Sequence, residues 1–120
     1  MPRRTAAVIA TALALACTSY AAVAGEYAPL NCRKAGSPSE KTICGSYALG
    51  QSEARMATLY AVATSLVAMG QRGDIQDAQR SWLASRDACG DNVGCLTEAY
   101  DKRIAALDKV IAGIASRGPY

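Results

Sequence analysis

Apolar residues recur at spacings of three, four and seven positions along most of the chain after residue 46. This is the period of an α-helix that turns one face toward a protein core. The first run comprises Leu49, Met56, Leu59, Tyr60, Ala63, Leu66 and Val67. The second run lies along one side of the next helix and includes two polar residues, Gln79 and Arg86, besides Ile75, Ala78, Trp82 and Leu83. The third comprises Val93, Leu96, Tyr100, Ile104, Leu107, Ile111 and Ile114. The pattern predicts three amphipathic helices, each of which needs a partner surface.

Breaking and capping residues set the expected ends of these helices. Gly70 and Gly73 are expected to break the first one, and Asp74 to cap the second. Near residue 90, either Asp91 or Asn92 can cap the third helix.

A shorter helix is predicted ahead of the three long ones. The segment Ser37-Pro38-Ser39-Glu40 has the order of a capping box, with an N-cap serine, proline at the first helical position and glutamate at the third. The helix should run to Cys44, where Gly45 can take the left-handed conformation that ends it. The fold class expected is all-α, a small antiparallel bundle of three main helices plus a short leading helix.

The first 24 residues have the organisation of a secretory signal peptide. Arg3 and Arg4 precede a charge-free apolar stretch that ends in Ala22-Val23-Ala24. We expect cleavage after Ala24, which leaves residues 25–120 as the mature domain. The predicted location is the periplasm or the outside of the cell.

Two alternatives for the leader remain open. Its length also suits a retained membrane helix, which needs about 20 apolar residues, although the small-residue exit favours removal. Cys17 lies late in the apolar stretch, where lipidation would anchor the protein to a membrane. Ala14, however, stands where a lipobox usually has a large aliphatic residue, so cleavage after Ala24 is preferred to anchoring at Cys17.

Four cysteines remain once the leader is removed: Cys32, Cys44, Cys89 and Cys95. An even number in a short exported chain predicts two disulfides. Three pairings are possible, and we favour the local one, Cys32 with Cys44 and Cys89 with Cys95, because helices would keep the two pairs apart. Each bond should stabilise the fold by about 2 to 3 kcal/mol.

Several kinds of chemistry are excluded by composition. The chain has no histidine, which rules out serine-histidine and cysteine-histidine nucleophilic sites. Oxidised cysteines cannot bind zinc, and the chain has no glycine-rich phosphate loop. The acidic pairs Asp74 with Asp77 and Glu98 with Asp101 have a spacing common on solvated helix surfaces. We therefore expect no enzyme activity, no metal and no cofactor.

The charge balance argues against a nucleic-acid partner. The formal net charge is +3, and removal of Arg3 and Arg4 leaves 11 basic and 10 acidic residues, a net charge of +1. The basic residues are spread along the chain rather than clustered. The expected partner is a protein.

The aromatic and arginine residues of the second and third helices can be interpreted in two ways. Trp82 and Arg86 are four positions apart, so the guanidinium can lie against the indole, and Arg103 can pair with a carboxylate on a neighbouring helix. We favour a structural role in the core. The alternative is a recognition patch, with these candidate binding residues: Trp82, Arg86, Asp87, Tyr100 and Arg103.

A QxxWxxxRxxC motif at Gln79, Trp82, Arg86 and Cys89 is followed by CLxxxYxxRI from Cys95 to Ile104. In these motifs the chain resembles the LprI-type domain, named after a mycobacterial lysozyme inhibitor. The segment from Glu40 to Cys44 also belongs to this resemblance. At Ser52-Glu53 the family usually has leucine and aspartate, so this chain keeps the acid and loses the leucine.

The resemblance covers about residues 32–107, which we take as the core of the domain. It implies a secreted or periplasmic binding protein that inhibits a lysozyme by occlusion. Loose candidates for an acidic contact patch are Asp74, Asp77, Asp91, Glu98 and Asp101. The alternative is a structural or stress-related envelope protein of the same fold with a different protein partner.

Overall fold

Helices make up most of the computed structural model, which describes residues 29–118. A 3-10 turn at Cys32–Lys34 is followed by α1 (Pro38–Gly45), α2 (Tyr47–Leu66), α3 (Met69–Ala88) and α4 (Val93–Ala115). Residues 29–118 contain no β-strand. The prediction of an all-α fold with three long helices behind a short one is confirmed.

The predicted leader lies outside the described residues, together with its cleavage point after Ala24 and the lipidation candidate Cys17. Of the helices between residues 29 and 118, none combines the length and the apolar character needed to cross a membrane.

The capping box of α1 is formed as predicted. The hydroxyl of Ser37 accepts a hydrogen bond from the Glu40 amide at 3.1 Å, and the Glu40 carboxylate accepts one from the Ser37 amide at 3.2 Å. The left-handed ending at Gly45 is wrong, because within residues 29–118 positive φ angles occur only at Gly90 and Gly118. Instead, Ser46 follows with extended backbone and caps the start of α2.

The expected break at Gly70 and Gly73 is also wrong. The chain turns between Leu66 and Met69, so both glycines lie inside α3, and its N-cap is Ala68 rather than Asp74. A glycine inside a helix costs about 1 kcal/mol relative to alanine, which the packing of α3 outweighs.

Arg72 stabilises this turn between α2 and α3. Its side chain donates to the carbonyl oxygens of Thr64 at 2.8 Å and Val67 at 3.3 Å. Carbonyl groups at the end of a helix lack partners within the helix. An arginine from the next helix thus completes the end of α2.

The three long helices run up, down and up. Met56 of α2 lies beside Gln79 of α3, and Gln79 lies beside Arg103 of α4. Further along, Glu53 approaches Arg86, and Trp82 contacts Ala99. Helix α3 is therefore antiparallel to both neighbours, whereas α2 and α4 are parallel and share the largest interface.

One apolar core lies between the four helices. Its buried members are Ile43, Leu49, Met56, Tyr60, Ala63, Val67, Ile75, Leu96, Tyr100, Ile104, Leu107 and Ile114. Leu66, which the apolar pattern placed in the core, is 52% exposed at the end of α2.

Both disulfides are local, as predicted. Cys32–Cys44 joins the 3-10 turn to α1, and Cys89–Cys95 joins the end of α3 to the first turn of α4. The Cα atoms of each pair are 5.6 Å apart, a separation ordinary for disulfides. Within the loop closed by the Cys89–Cys95 disulfide, Gly90 has a positive φ of 58°, which glycine adopts without a steric penalty.

Candidate functional site

Five polar side chains meet inside the bundle, and we call them the buried polar network. Its members are Glu53, Gln79, Arg86, Tyr100 and Arg103, none more than 8% exposed. They come from α2, α3 and α4, and all except Glu53 belong to the sequence motifs noted above. The motif therefore marks the inside of the bundle.

Glu53 is the centre of one half of this network. Its carboxylate accepts a hydrogen bond from the Tyr100 hydroxyl and another from the Leu30 amide at 3.2 Å. The guanidinium of Arg86 lies 3.9 Å from the same carboxylate. A buried carboxylate needs such partners because it has left water.

Arg86 is also held by its neighbour Asp87, which extends the contacts to α1. Arg86 Nη2 and Nε donate to Asp87 Oδ1 at 2.8 and 3.0 Å. The fully buried Ser39 hydroxyl donates to the same oxygen at 3.0 Å. Asp87 itself remains 47% exposed in its side chain, so it connects the core with the surface.

The electrostatics of this half favour a charged arginine and a neutral phenol. Burial alone would lower the pKa of the Arg86 guanidinium, but the hydrogen bond to Asp87 and the negative charge of Asp87 act in the opposite direction, and the net effect raises the pKa. Burial, followed by the hydrogen bond to Glu53, raises the pKa of Tyr100 far above its ordinary value. Tyr100 consequently acts as a hydrogen-bond donor and Arg86 as a cation.

Arg103, in the other half, has partners of a different kind. Its Nε donates to Gln79 Oε1 at 2.7 Å and its Nη2 to the Ile75 carbonyl at 3.2 Å, and both acceptors are uncharged. Burial lowers the pKa of Arg103, while Tyr60 nearby has the opposite effect. The expected pairing of Arg103 with a carboxylate is wrong for residues 29–118, because amide and carbonyl oxygens of α3 take its donors.

Trp82 lies at the edge of the core, and only part of it is buried. Its indole N–H donates to the Ala99 carbonyl at 2.8 Å, and its ring meets that of Tyr100 edge to face with centroids 5.2 Å apart. The Arg86 guanidinium carbon lies 5.7 Å from the indole centroid, as the spacing predicted. The recognition role of Trp82, Arg86, Asp87, Tyr100 and Arg103 stays a prediction.

A surface groove of about 370 Å³ opens beside Trp82 between α3 and α4, and we call it the Trp82 groove. It is lined by Trp82, Ser85, Cys89, Cys95, Glu98, Ala99 and Lys102. The groove extends from Trp82 to the Cys89–Cys95 disulfide. The ion pair between Glu98 and Lys102 lies on its α4 side.

The remaining acidic candidates are on the surface. Asp74, Asp77, Asp91, Glu98 and Asp101 are all exposed. Two of them form ion pairs along their own helices, Asp77 with Arg80 and Glu98 with Lys102. Among residues 29–118, no group of acidic or cysteine residues is arranged to hold a metal ion.

The burial of Glu53 was not predicted from the sequence. It stands four residues after Leu49 and three before Met56, both of which are buried, so it occupies a position of the apolar stripe of α2. A charged residue within an apolar stripe is the sequence feature that could have predicted a buried ion pair. Its partner on α3 could not be identified from spacing along α2.

Comparison with known proteins agrees with the motif. No curated protein and no solved structure gives a significant match. The sequence model of the family described as "Lysozyme inhibitor LprI" matches residues 32–107, a stretch that contains both disulfides and the whole buried polar network. The chain belongs to the LprI family.

Proposed function

We propose that this protein is an exported, non-catalytic binding protein that inhibits a lysozyme by occluding its substrate cleft. The observation that carries the proposal is the family match across residues 32–107. The two disulfides fit a periplasmic or extracellular protein. Removal of residues 1–24 by cleavage after Ala24 is part of the proposal, since it would release the domain from the membrane.

The buried polar network supports a scaffold role for the family motif. Gln79, Arg86, Tyr100 and Arg103 are at least nine-tenths buried, and their contacts connect α2, α3 and α4. Side chains so deeply packed cannot supply much contact area to a large partner. Recognition would therefore use exposed residues that this network positions.

The Trp82 groove is the contact surface that we favour. Tryptophan is enriched among the residues that dominate binding energy at protein interfaces, and Trp82 presents part of its indole there. The Cys89–Cys95 disulfide borders the groove and limits its movement. A rigid edge reduces the conformational entropy lost on binding.

A cell-wall clearing assay tests the proposal. The purified, oxidised mature protein, residues 25–120, is titrated against lysozymes of several types, with the reduced and alkylated protein as control. Saturable inhibition at stoichiometric or about micromolar concentration by the oxidised form alone supports the proposal. Absence of inhibition of every type contradicts it.

Two matched serine variants test the contact surface. Ser85→Arg places a long charged side chain in the Trp82 groove, whereas Ser81→Arg places it one turn earlier on α3, outside the groove; both serines are exposed. We expect Ser85→Arg to weaken inhibition at least tenfold and Ser81→Arg to leave it within about twofold. Equal behaviour of the two variants would move the contact surface elsewhere.

The alternative function, an envelope protein with a different protein partner, is favoured by charge. The mature chain would carry a net charge of about +1, so it lacks the strong acidic field that would speed its association with a basic lysozyme. If the folded protein inhibits no lysozyme in the clearing assay, this alternative becomes the preferred function.

A further inference from the structure

A second groove between α3 and α4 has a cationic residue in its wall, and we call it the Arg103 groove. Its volume is about 330 Å³, at the small end of ligand sites. Ile75, Ala106 and Val110 supply apolar walls, and Gln71 and Asp74 add polar side chains. It lies nearer the start of α3 than the Trp82 groove, and the two share no lining residue.

Two arginines are buried among residues 29–118, and they differ in how their charge is balanced. Arg86 has the carboxylates of Asp87 at 2.8 Å and Glu53 at 3.9 Å. Arg103 is 8% exposed and donates to the neutral oxygens of Gln79 and Ile75. Within residues 29–118, no carboxylate forms a salt bridge with it.

A buried cation without an anionic partner favours the arrival of one. Removal from water weakens the hydration of the guanidinium, so a carboxylate brought beside it gains a strong charge-assisted hydrogen bond. Ile75, whose carbonyl holds the Arg103 guanidinium, also lines the groove. The groove therefore has the cationic side chain of Arg103 and the carboxylate of Asp74 in its lining, next to an apolar surface.

We propose that the Arg103 groove binds the C-terminal carboxylate of a peptide that ends in an apolar residue. The carboxylate would meet Arg103, and the last side chain would pack against Ile75, Ala106 and Val110. The polar residues select a peptide over a simple fatty acid: Asp74 can accept a peptide N–H, and the Gln71 amide can bond a peptide carbonyl. This site is independent of lysozyme inhibition.

A titration of the full oxidised protein with matched probes tests the proposal. The first probe is N-acetyl-Ala-Ala-Leu with a free carboxylate, and the second is the same peptide as its C-terminal amide. Binding is followed by the NMR shift of the Arg103 side-chain N–H, with the Trp82 indole N–H as an internal reference outside the groove. We expect the acid to bind about tenfold or more tightly than the amide, because only the acid carries the charge.

Surface variants test the site without removing Arg103 from the core. Ala106→Phe should fill the groove and abolish binding, whereas Ala105→Phe, at an exposed neighbour outside it, should leave binding unchanged. Asp74→Asn should strengthen binding about two- to fivefold, because it removes a negative charge from the rim.

The proposal would be overturned by equal affinity for acid and amide, by unchanged peptide binding in the Ala106→Phe variant, or by tighter binding of decanoate than of the peptide acid. A shift of the Trp82 indole N–H without one at Arg103 would likewise place the peptide elsewhere.

Discussion

Glu53 on α2 accepts a hydrogen bond from the Tyr100 hydroxyl on α4, across the parallel pair of helices that form the largest interface of the bundle. The same carboxylate lies 3.9 Å from the Arg86 guanidinium on α3. One acidic side chain thus connects all three long helices. Its loss should weaken the fold more than the loss of any surface charge.

We expect Glu53→Ala to lower the free energy of unfolding by about 3 to 5 kcal/mol, because it leaves the buried Tyr100 phenol without its acceptor and the Arg86 guanidinium without one of its two neighbouring carboxylates. Arg55→Ala on the same helix is the matched control, since its ion pair with Asp108 is exposed and should contribute less than about 1 kcal/mol. Urea denaturation measures both values. Similar losses in the two variants would show that the buried carboxylate has no special role.

Trp82→Ala should destabilise the domain by about 3 kcal/mol, the lower end of the range for tryptophan truncation, because the side chain is only partly buried. Trp82→Phe keeps an aromatic ring against Tyr100 and loses the hydrogen bond to Ala99, so its cost should be nearer 1 kcal/mol. A loss below about 1 kcal/mol in the alanine variant would mean that Trp82 contributes little to the core.

Reduction of both disulfides should lower the thermal midpoint of unfolding by more than about 10 °C. Cys32–Cys44 joins residues 12 positions apart, and Cys89–Cys95 joins residues six positions apart. Closing loops of these lengths stabilises the fold by about 2 to 3 kcal/mol each. In a domain of this size, 1 kcal/mol corresponds to about 4 to 8 °C. Differential scanning calorimetry with and without reductant, after confirmed reduction, measures the shift, and an unchanged midpoint would refute the stabilising role.

Acid should weaken the start of α1. Backbone hydrogen bonds from Gly36 and Ser37 lower the pKa of Glu40 below its ordinary value of 4.5. The carboxylate therefore stabilises the folded state above pH 4.5, and this contribution is lost as the pH falls through the lowered pKa. We expect Glu40→Gln, which keeps the capping geometry, to show a smaller loss of stability on acidification.

The measurement for this prediction is urea denaturation between about pH 3 and pH 6. Asp91→Asn, at an exposed acid in the loop between α3 and α4, removes a carboxylate that has no place in the capping box. If the two variants respond alike to acid, the effect comes from net charge rather than from the cap.

The helices were predictable because each stripe of apolar residues follows one helical period. The turn between α2 and α3 was not, because Val67 and Ala68 carry no turn signal whereas Gly70 and Gly73 do. The helix tolerates these glycines since tertiary packing outweighs propensity. The closing contacts come from Arg72, which reaches back to α2.

The site was predictable only as a set of residues. The motif identified Gln79, Trp82, Arg86, Tyr100 and Arg103, but spacing along one helix cannot say which side chain lies opposite on another. The neutral partners of Arg103 illustrate this point. Which arginine obtains a carboxylate depends on the relative position of three helices, and that becomes known only with the structure.

The parallel arrangement of α2 and α4 has a kinetic consequence. The partners in the largest interface are separated along the chain by the whole of α3, so α2 cannot complete its contacts until α4 has been synthesised. An isolated hairpin of α2 and α3 would leave Glu53 without Tyr100. The nascent chain should therefore stay unfolded until α4 is available, a delay that would suit the proposed export through a narrow translocation channel.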